Sequence, residues 1–208
     1  MNTEYTFTNG KGGRAGGLGW WWHTTHDTID KLDPEIFARD TRIYLSLLYR
    51  LLTFPVLPFY VEPAVEELIR ALEKLNDKLA GKFDLTTLEV RLRELKSRAQ
   101  KFDEITAGLL TGGSKENIES IEEHAEKQQS VFRELVRISY HEKEAYFFDL
   151  CGPIYPIPNL AAGEKLAVSL EDSGSYYMYL TEFRRGYNRV NAYVKRLLGL
   201  TGGEDVSI

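Results

Sequence analysis

Three stretches of this sequence carry apolar residues at alternating steps of three and four, and this rhythm restricts the fold more than any other feature. The stretches are residues 85–102, 118–135 and 176–197. Such spacing places the apolar side chains along one face of an α-helix, and its heptad rhythm favours shallow crossing angles between neighbouring helices. We therefore predict that these segments pack as an antiparallel helical bundle.

Two further helices are predicted before these three. The first begins at Asp33, whose carboxylate can cap the first turn, with Pro34 where its missing N–H costs nothing, and it stops before Pro55. Apolar residues on most faces of this helix indicate a central position in the fold. The second lies between Pro63 and Gly81 and has a single apolar stripe. The predicted fold class is mainly α, an antiparallel helical bundle of about four to five helices.

A long connection, residues 141–175, separates the last two helices and is predicted to be irregular because it holds several prolines. Long irregular connections are unusual inside compact domains and often form interaction surfaces. Its aromatic residues would be costly to leave in water, so we expect it to wrap over the bundle or over a partner. The single cysteine, Cys151, lies within it among apolar neighbours, which predicts a buried structural thiol and excludes an internal disulfide.

Composition excludes several classes of protein. Hydrophobic residues make up 43% and charged residues 27% of the chain, as in an ordinary soluble globular protein. A formal net charge of −5 provides no general attraction to nucleic acid or to an anionic membrane. The longest apolar stretch, residues 43–59, is interrupted too often to span a membrane. We predict a soluble protein without a nucleic-acid or membrane partner, cytoplasmic in preference to secreted unless an upstream signal is missing.

The most distinctive side chains lie between residues 19 and 35, where three consecutive tryptophans precede His23. A glycine-rich segment, residues 10–19, comes just before them and suits a loop that borders a cleft. Because neighbouring side chains diverge in any regular backbone, the three indoles cannot all point into one core. One or two can anchor the loop on the helices while the third lies at an interface, or an indole can line a substrate pocket or a contact with a missing domain. His26 follows His23 by three residues, and this spacing alone is weak evidence of a metal site.

From Trp22 to Pro34 the sequence reads Trp-His-Thr-x-x-Asp-Thr-x-Asp-x-x-Asp-Pro. In order and spacing this pattern resembles the segment that carries the last metal ligand in zinc-dependent exopeptidases of metallopeptidase family 28. That family includes aminopeptidases, glutamate carboxypeptidases and transferrin-receptor-like proteins. The resemblance implies that His23 binds one of two zinc ions and that Trp22 contacts the substrate, where the family often has a tyrosine.

The other zinc ligands of that family lie upstream of this motif, and only about twenty residues precede His23 here. The resemblance therefore implies the C-terminal part of a zinc exopeptidase. Residues 1–33 would be a Gly/Trp-rich remnant of an α/β catalytic domain, and residues 34–208 a helical domain resembling a dimerisation domain. The implied partners are the missing N-terminal catalytic domain, a second copy in a homodimer and, in the complete enzyme, a peptide substrate with zinc as cofactor. The chain alone is expected to be inactive.

An alternative of a different class is a non-catalytic interaction module. In this hypothesis the chain is a helical homodimer in which the Trp-His loop has only a structural role. A peptidase that is complete within this chain is the least favoured hypothesis, because the sequence shows neither a full zinc ligand set nor a Ser/His/Asp or Cys/His arrangement.

Overall fold

The computed structural model describes residue 21 and residues 23–112, 118–141 and 155–202. Within these ranges the chain forms six α-helices and two short 3-10 helices, with no strand, which confirms the predicted mainly α fold. The α-helices are α1 (Pro34–Thr53), α2 (Glu62–Leu79), α3 (Thr86–Leu110), α4 (Ile118–Tyr140), α5 (Ala162–Val168) and α6 (Gly174–Leu200). The 3-10 helices span Ile29–Lys31 and Pro158–Leu160. None of the described helices is both long enough and apolar enough to cross a membrane.

The chain divides into two compact units, Met1–Phe54 and Pro55–Ile208. The first unit contains α1, which begins where the sequence predicted. The Asp33 carboxylate accepts hydrogen bonds from the backbone N–H groups of Glu35 at 2.9 Å and Ile36 at 3.1 Å, so it caps the first turn. None of the residues of α1 is buried, so the predicted central position of this helix is wrong. The functional division predicted after residue 33 stays a prediction.

Polar contacts show the direction of the helices in the second unit. Asn76 of α2 donates to the Glu89 carboxylate of α3 at 3.0 Å, and nearer the start of α2 the Glu66 carboxylate lies 3.7 Å from Lys96 Nζ. The contact further along α3 is made by the residue nearer the start of α2, so these two helices are antiparallel. By contrast, α3 and α6 are parallel, because Arg91 donates to Asn191 and Arg98 donates to the carbonyl of Leu198.

The core of the second unit consists of the apolar stripes of its helices. The positions predicted from the steps of three and four are all buried in α3 and mostly buried in α2 and α6, where Phe183 is among the largest fully buried side chains. The predicted positions Ile69, Tyr176, Leu180 and Tyr187 are only partly buried. In α4 the predicted stripe is only partly right. Gln128 and Leu135 are buried as predicted, whereas Ile118 is exposed and Phe132 is only partly buried. The buried face of α4 instead follows the set His124, Gln128, Val131, Leu135 and Ile138.

The connection between α4 and α6 is more regular than predicted. Its described part contains the 3-10 helix Pro158–Leu160 and helix α5, and it buries Ile157, Leu160 and Leu166 in the core. Lys82 fixes the end of α5, since its ammonium donates to the carbonyls of Ala167 and Ser169 at 2.8 Å each. Part of this connection therefore packs on the bundle, which is one of the two alternatives predicted for it, whereas Val168 and Leu170 are exposed. Residues 142–154, including Cys151, lie outside the described part of the chain.

Candidate functional site

Residues 55–61, which we call the strap, lead into α2 and are tied to α4 by a buried glutamine. The Gln128 carboxamide oxygen accepts from the backbone N–H of Leu57 at 2.8 Å. Its amide nitrogen donates to the carbonyls of Leu57 at 2.9 Å and Phe59 at 3.1 Å. Gln128 is completely buried, so these three bonds form in a low dielectric, where leaving either group unpaired would be costly. The strap is thereby held against one face of α4.

A buried carboxylate of α3 holds the other end of the strap. Asp103 accepts from the backbone N–H of Val61 at 2.8 and 3.0 Å and from that of Glu62 at 2.8 Å. These donors are N–H groups at the start of α2, which have no partner within the helix itself. Burial raises the pKa of Asp103, while the hydrogen bonds from Val61 and Glu62 act in the opposite direction. Asp103 therefore caps α2 from a different helix.

A cleft of about 530 Å³ lies where the strap meets α4, and we call it the α4 cleft. Leu57 of the strap forms part of its wall, together with one face of α4. The lining residues on α4 and directly after it are Gln129, Phe132, Arg133, Val136, Arg137 and His141. These positions recur at steps of three and four, so a single helical face carries both the apolar and the cationic groups of the cleft.

The two arginines of the cleft differ in their surroundings. Arg137 pairs with the buried Glu134 carboxylate, whose second oxygen also lies 3.6 Å from Arg196. Arg133 is exposed and has neither a hydrogen bond nor an ion pair with any residue in the described part of the chain. Its guanidinium therefore presents five N–H donors to solvent in a planar fork that matches a carboxylate or a phosphate.

A second cleft of about 350 Å³ adjoins the first, since Phe132 and Val136 line both. Its other walls include Glu67 of α2, Tyr140 of α4 and Tyr155. Burial, together with the charge of Glu164, raises the pKa of Tyr155 to about 12, so this wall carries a neutral phenol. The two clefts together present the cationic group of Arg133, shared apolar side chains and the acidic group of Glu67.

His23, the residue predicted to bind zinc, lies in a turn of the described chain. His23 is exposed, with a positive φ of 60°, in a turn that Thr24 closes by donating to the Trp21 carbonyl at 2.7 Å. His26 is exposed as well. Trp22 lies outside the described residues. Among those that are described, no three His, Cys, Asp or Glu side chains form a group that could hold a metal ion. The role of His23 as a zinc ligand and that of Trp22 at a substrate stay predictions.

No protein-family model matches this chain, and no solved structure matches it. The chain is similar to a 14-3-3-like protein. It is 29% identical over 182 residues to 14-3-3-like protein D of Nicotiana tabacum. The alignment covers 84% of this chain and 66% of the tobacco protein, so the chain spans just under two thirds of the length of the relative that it matches.

This similarity contradicts the prediction that the chain belongs to a zinc exopeptidase of metallopeptidase family 28. The predicted functions of a hydrolase and an aminopeptidase segment are wrong for the same reason, and a missing catalytic domain has no support as a partner. The finding favours the alternative, a non-catalytic helical interaction module. The α4 cleft was missed in the sequence, although Phe132-Arg133 and Val136-Arg137 repeat an apolar-cationic pair at a helical step of four.

Proposed function

We propose that this chain is a non-catalytic helical interaction module that binds an anionic segment of a partner protein in the α4 cleft. The observation that carries the proposal is Arg133, an exposed cation without an ion pair in the described chain, set beside the apolar side chains of Phe132 and Val136. The similarity to a 14-3-3-like protein supports the same class and points to phosphoserine as the anion.

The chemistry of the cleft suits a phosphorylated peptide. An exposed ion pair alone contributes only about 0–1 kcal/mol in water, so Arg133 cannot supply the affinity by itself. A phosphate carries close to two negative charges and three acceptor oxygens, and an arginine fork can bind two of those oxygens at once. Leu57, Phe132 and Val136 can add apolar contacts to the residues next to the phosphoserine.

The second cleft can select the peptide residues that flank the phosphoserine. It is lined mainly by apolar and aromatic side chains, with Glu67 at one wall. A peptide whose phosphoserine lies against Arg133 can place an apolar side chain across Phe132 and Val136 into this second cleft. Glu67 would then disfavour a second acidic residue there and favour a basic one. The proposed ligand is therefore a segment with one phosphoserine and a neighbouring apolar residue.

The proposed module acts as a homodimer. The similarity to a 14-3-3-like protein is compatible with a dimer that binds partner proteins. Two copies would present two α4 clefts, so a partner with two phosphorylated segments would bind more tightly than one with a single segment.

Replacing Arg133 with Gln is expected to weaken the binding of a phosphoserine peptide by about tenfold, or ~1.4 kcal/mol. The substitution removes the charge that faces the phosphate but keeps a polar side chain. Binding is measured by fluorescence anisotropy with labelled phosphoserine peptides that carry an apolar residue after the phosphoserine. The same peptides without phosphate serve as the reference ligand, and they should bind weakly to both proteins.

Arg184→Gln provides the matched control, because Arg184 is an exposed arginine of α6 that lines neither cleft. This variant changes the net charge by the same amount and should bind the phosphopeptide as the unchanged protein does. Equal losses in the two variants would show that the effect is general electrostatics. Equal affinity for phosphorylated and unphosphorylated peptides would overturn the proposed function.

A further inference from the structure

A row of arginines continues the α4 cleft onto α6. Arg137 of α4 and Arg196 of α6 both approach the carboxylate of Glu134, a residue that is only 8% exposed. Because Arg137 also lines the α4 cleft, this carboxylate lies at the border between the cleft and α6. Arg189 precedes Arg196 by about two helical turns and therefore lies on the same side of α6. We call Arg137, Arg189 and Arg196 the arginine seam.

The positive charge of the arginine seam is only partly neutralised. In the described part of the chain a single carboxylate, that of Glu134, pairs with the seam, and Arg137 and Arg196 share it. Arg189 has neither an ion pair nor a hydrogen bond with any residue there. Its Nε–H is nevertheless shielded from solvent. Because a shielded donor without an acceptor is unfavourable, and more so when the group is charged, Arg189 is suited to an anionic ligand.

Helix geometry places Arg133 between the apolar wall of the α4 cleft and the arginine seam. At 100° per residue, Val136 lies about 60° from Arg133 around α4 in one direction, and Arg137 lies about 40° away in the other. Glu134, which faces Arg196, lies about 60° beyond Arg137. A phosphate held by Arg133 therefore has the apolar wall and the second cleft on one flank and the arginine seam on the other.

We infer that the arginine seam is a subsite for an acidic side chain of the bound segment, on the side of the phosphoserine opposite its apolar residue. This inference rests on the proposed function and adds to it the charge pattern of the segment. The two oxygens of a carboxylate match the planar fork of an arginine. Arg189 donates its shielded Nε–H to that carboxylate, and Arg196, whose side chain is 57% exposed, supplies a second cation.

The charge of the arginine seam is local and opposes that of the whole chain. On this side of α4 the exposed carboxylate closest to Arg133 is Glu126, roughly two turns earlier in the helix. On α6 it is Glu182, roughly two turns before Arg189. The chain has a formal net charge of −5, so it does not attract acidic segments in general. A gain in affinity from acidic residues must therefore come from a local site.

Phosphopeptides that differ only beside the phosphoserine test the inference. One peptide carries two glutamates on one side of the phosphoserine and a leucine on the other, and its reference carries glutamines in place of the glutamates. Both are made in the two possible chain directions. In the direction that the cleft accepts, the glutamate peptide is expected to bind about fivefold more tightly than the glutamine peptide. Affinities are measured by fluorescence anisotropy.

Arg189→Gln is expected to remove this difference, so that the variant binds both peptides equally. Arg196→Gln should reduce the difference as well, and its exposed position keeps the test valid if Arg189→Gln does not fold, which circular dichroism shows. Arg184→Gln is the matched control. It changes the net charge by the same amount, but Arg184 lies about 140° from Arg189 around α6, so the full difference should remain.

The outcomes separate this inference from the proposed function. If the unchanged protein requires the phosphate but binds glutamate and glutamine peptides equally in both directions, the inference is overturned and the proposed function stands. Equal losses in Arg189→Gln and Arg184→Gln would also overturn the inference, because they would show general electrostatics. If no peptide binds in a phosphate-dependent way, the proposed function fails and the inference fails with it.

Discussion

Gly186→Ala is expected to destabilise the second unit by about 3 kcal/mol, although alanine is the better helix former. A Cβ atom on Gly186 would lie 1.8 Å from the carbonyl oxygen of Asn159 and 2.8 Å from its carbonyl carbon. These are backbone atoms of the 3-10 helix Pro158–Leu160, which cannot rotate away as the tip of a flexible side chain could. Either α6 or this 3-10 helix must move, and both lie in the core.

Gly199→Ala is the control, because Gly199 lies in the same helix and a Cβ there would meet no atom within 4 Å. That variant should be more stable by up to about 1 kcal/mol, since alanine loses less conformational entropy than glycine in a helix. Urea unfolding followed by circular dichroism gives both free energies of unfolding. Two changes of the same sign would show that helix propensity alone, and not the contact with Asn159, determines the effect.

The strain in Gly186→Ala should also reach the α4 cleft. Asn159 donates from its side chain to the carbonyl of His141 at 2.6 Å, and His141 lines one end of that cleft. Displacing Asn159 would therefore loosen the C-terminal end of α4. The 3-10 helix and α6 thus support the proposed binding surface from behind.

The helices and their starts could be predicted because their signals are local. The Asp33 carboxylate caps α1 by accepting from the backbone N–H groups two and three residues further along the chain. The Asp84 carboxylate accepts from the backbone N–H of Thr86 at 2.9 Å at the start of α3. Steps of three and four identify the buried side of α2, α3 and α6, since helix geometry alone relates these positions. The short helix α5 lacks such a repeat, and the prolines before it led to the prediction of an irregular connection.

Contacts between distant residues could not be predicted in the same way. Gly186 approaches Asn159 and Gln128 binds Leu57 across separations that no periodic pattern encodes. The sequence placed Gln128 on the buried side of α4 but did not show what a buried amide would bind. The cleft around Arg133 could not be predicted either, because the strap that completes it lies more than seventy residues before this arginine.

The predicted function failed because it rested on a short motif. The Trp22–Pro34 pattern covers little of the chain, whereas the similarity to 14-3-3-like protein D extends over 84% of it. A histidine becomes a metal ligand only when other ligands converge on it. His23 has no such group around it among the described residues.

Asp103→Ala is expected to cost about 2–4 kcal/mol, the second large effect on the bundle. The substitution leaves the N–H groups of Val61 and Glu62 without their acceptor, and Val61 is fully buried. Because these groups begin α2 and end the strap, the variant should also weaken phosphopeptide binding at Leu57. Asp103→Asn keeps one acceptor oxygen in place and should cost less than Asp103→Ala. Urea unfolding at pH 7 distinguishes the two.

The pH dependence of the free energy of unfolding tests whether burial or hydrogen bonding has the larger effect on the pKa of Asp103. Its pKa is raised above the ordinary value of 3.8 because burial disfavours the carboxylate more than the N–H groups of Val61 and Glu62 favour it. The folded protein therefore binds this proton more tightly than the unfolded chain does. The contribution of Asp103 to the free energy of unfolding is then greatest below pH 3.8 and falls as pH rises through the raised pKa. Asp103→Asn lacks this dependence, so the stability of the unchanged protein relative to that variant should fall between pH 3 and pH 7. The opposite slope would mean that the N–H groups at the start of α2 stabilise the carboxylate by more than its burial costs.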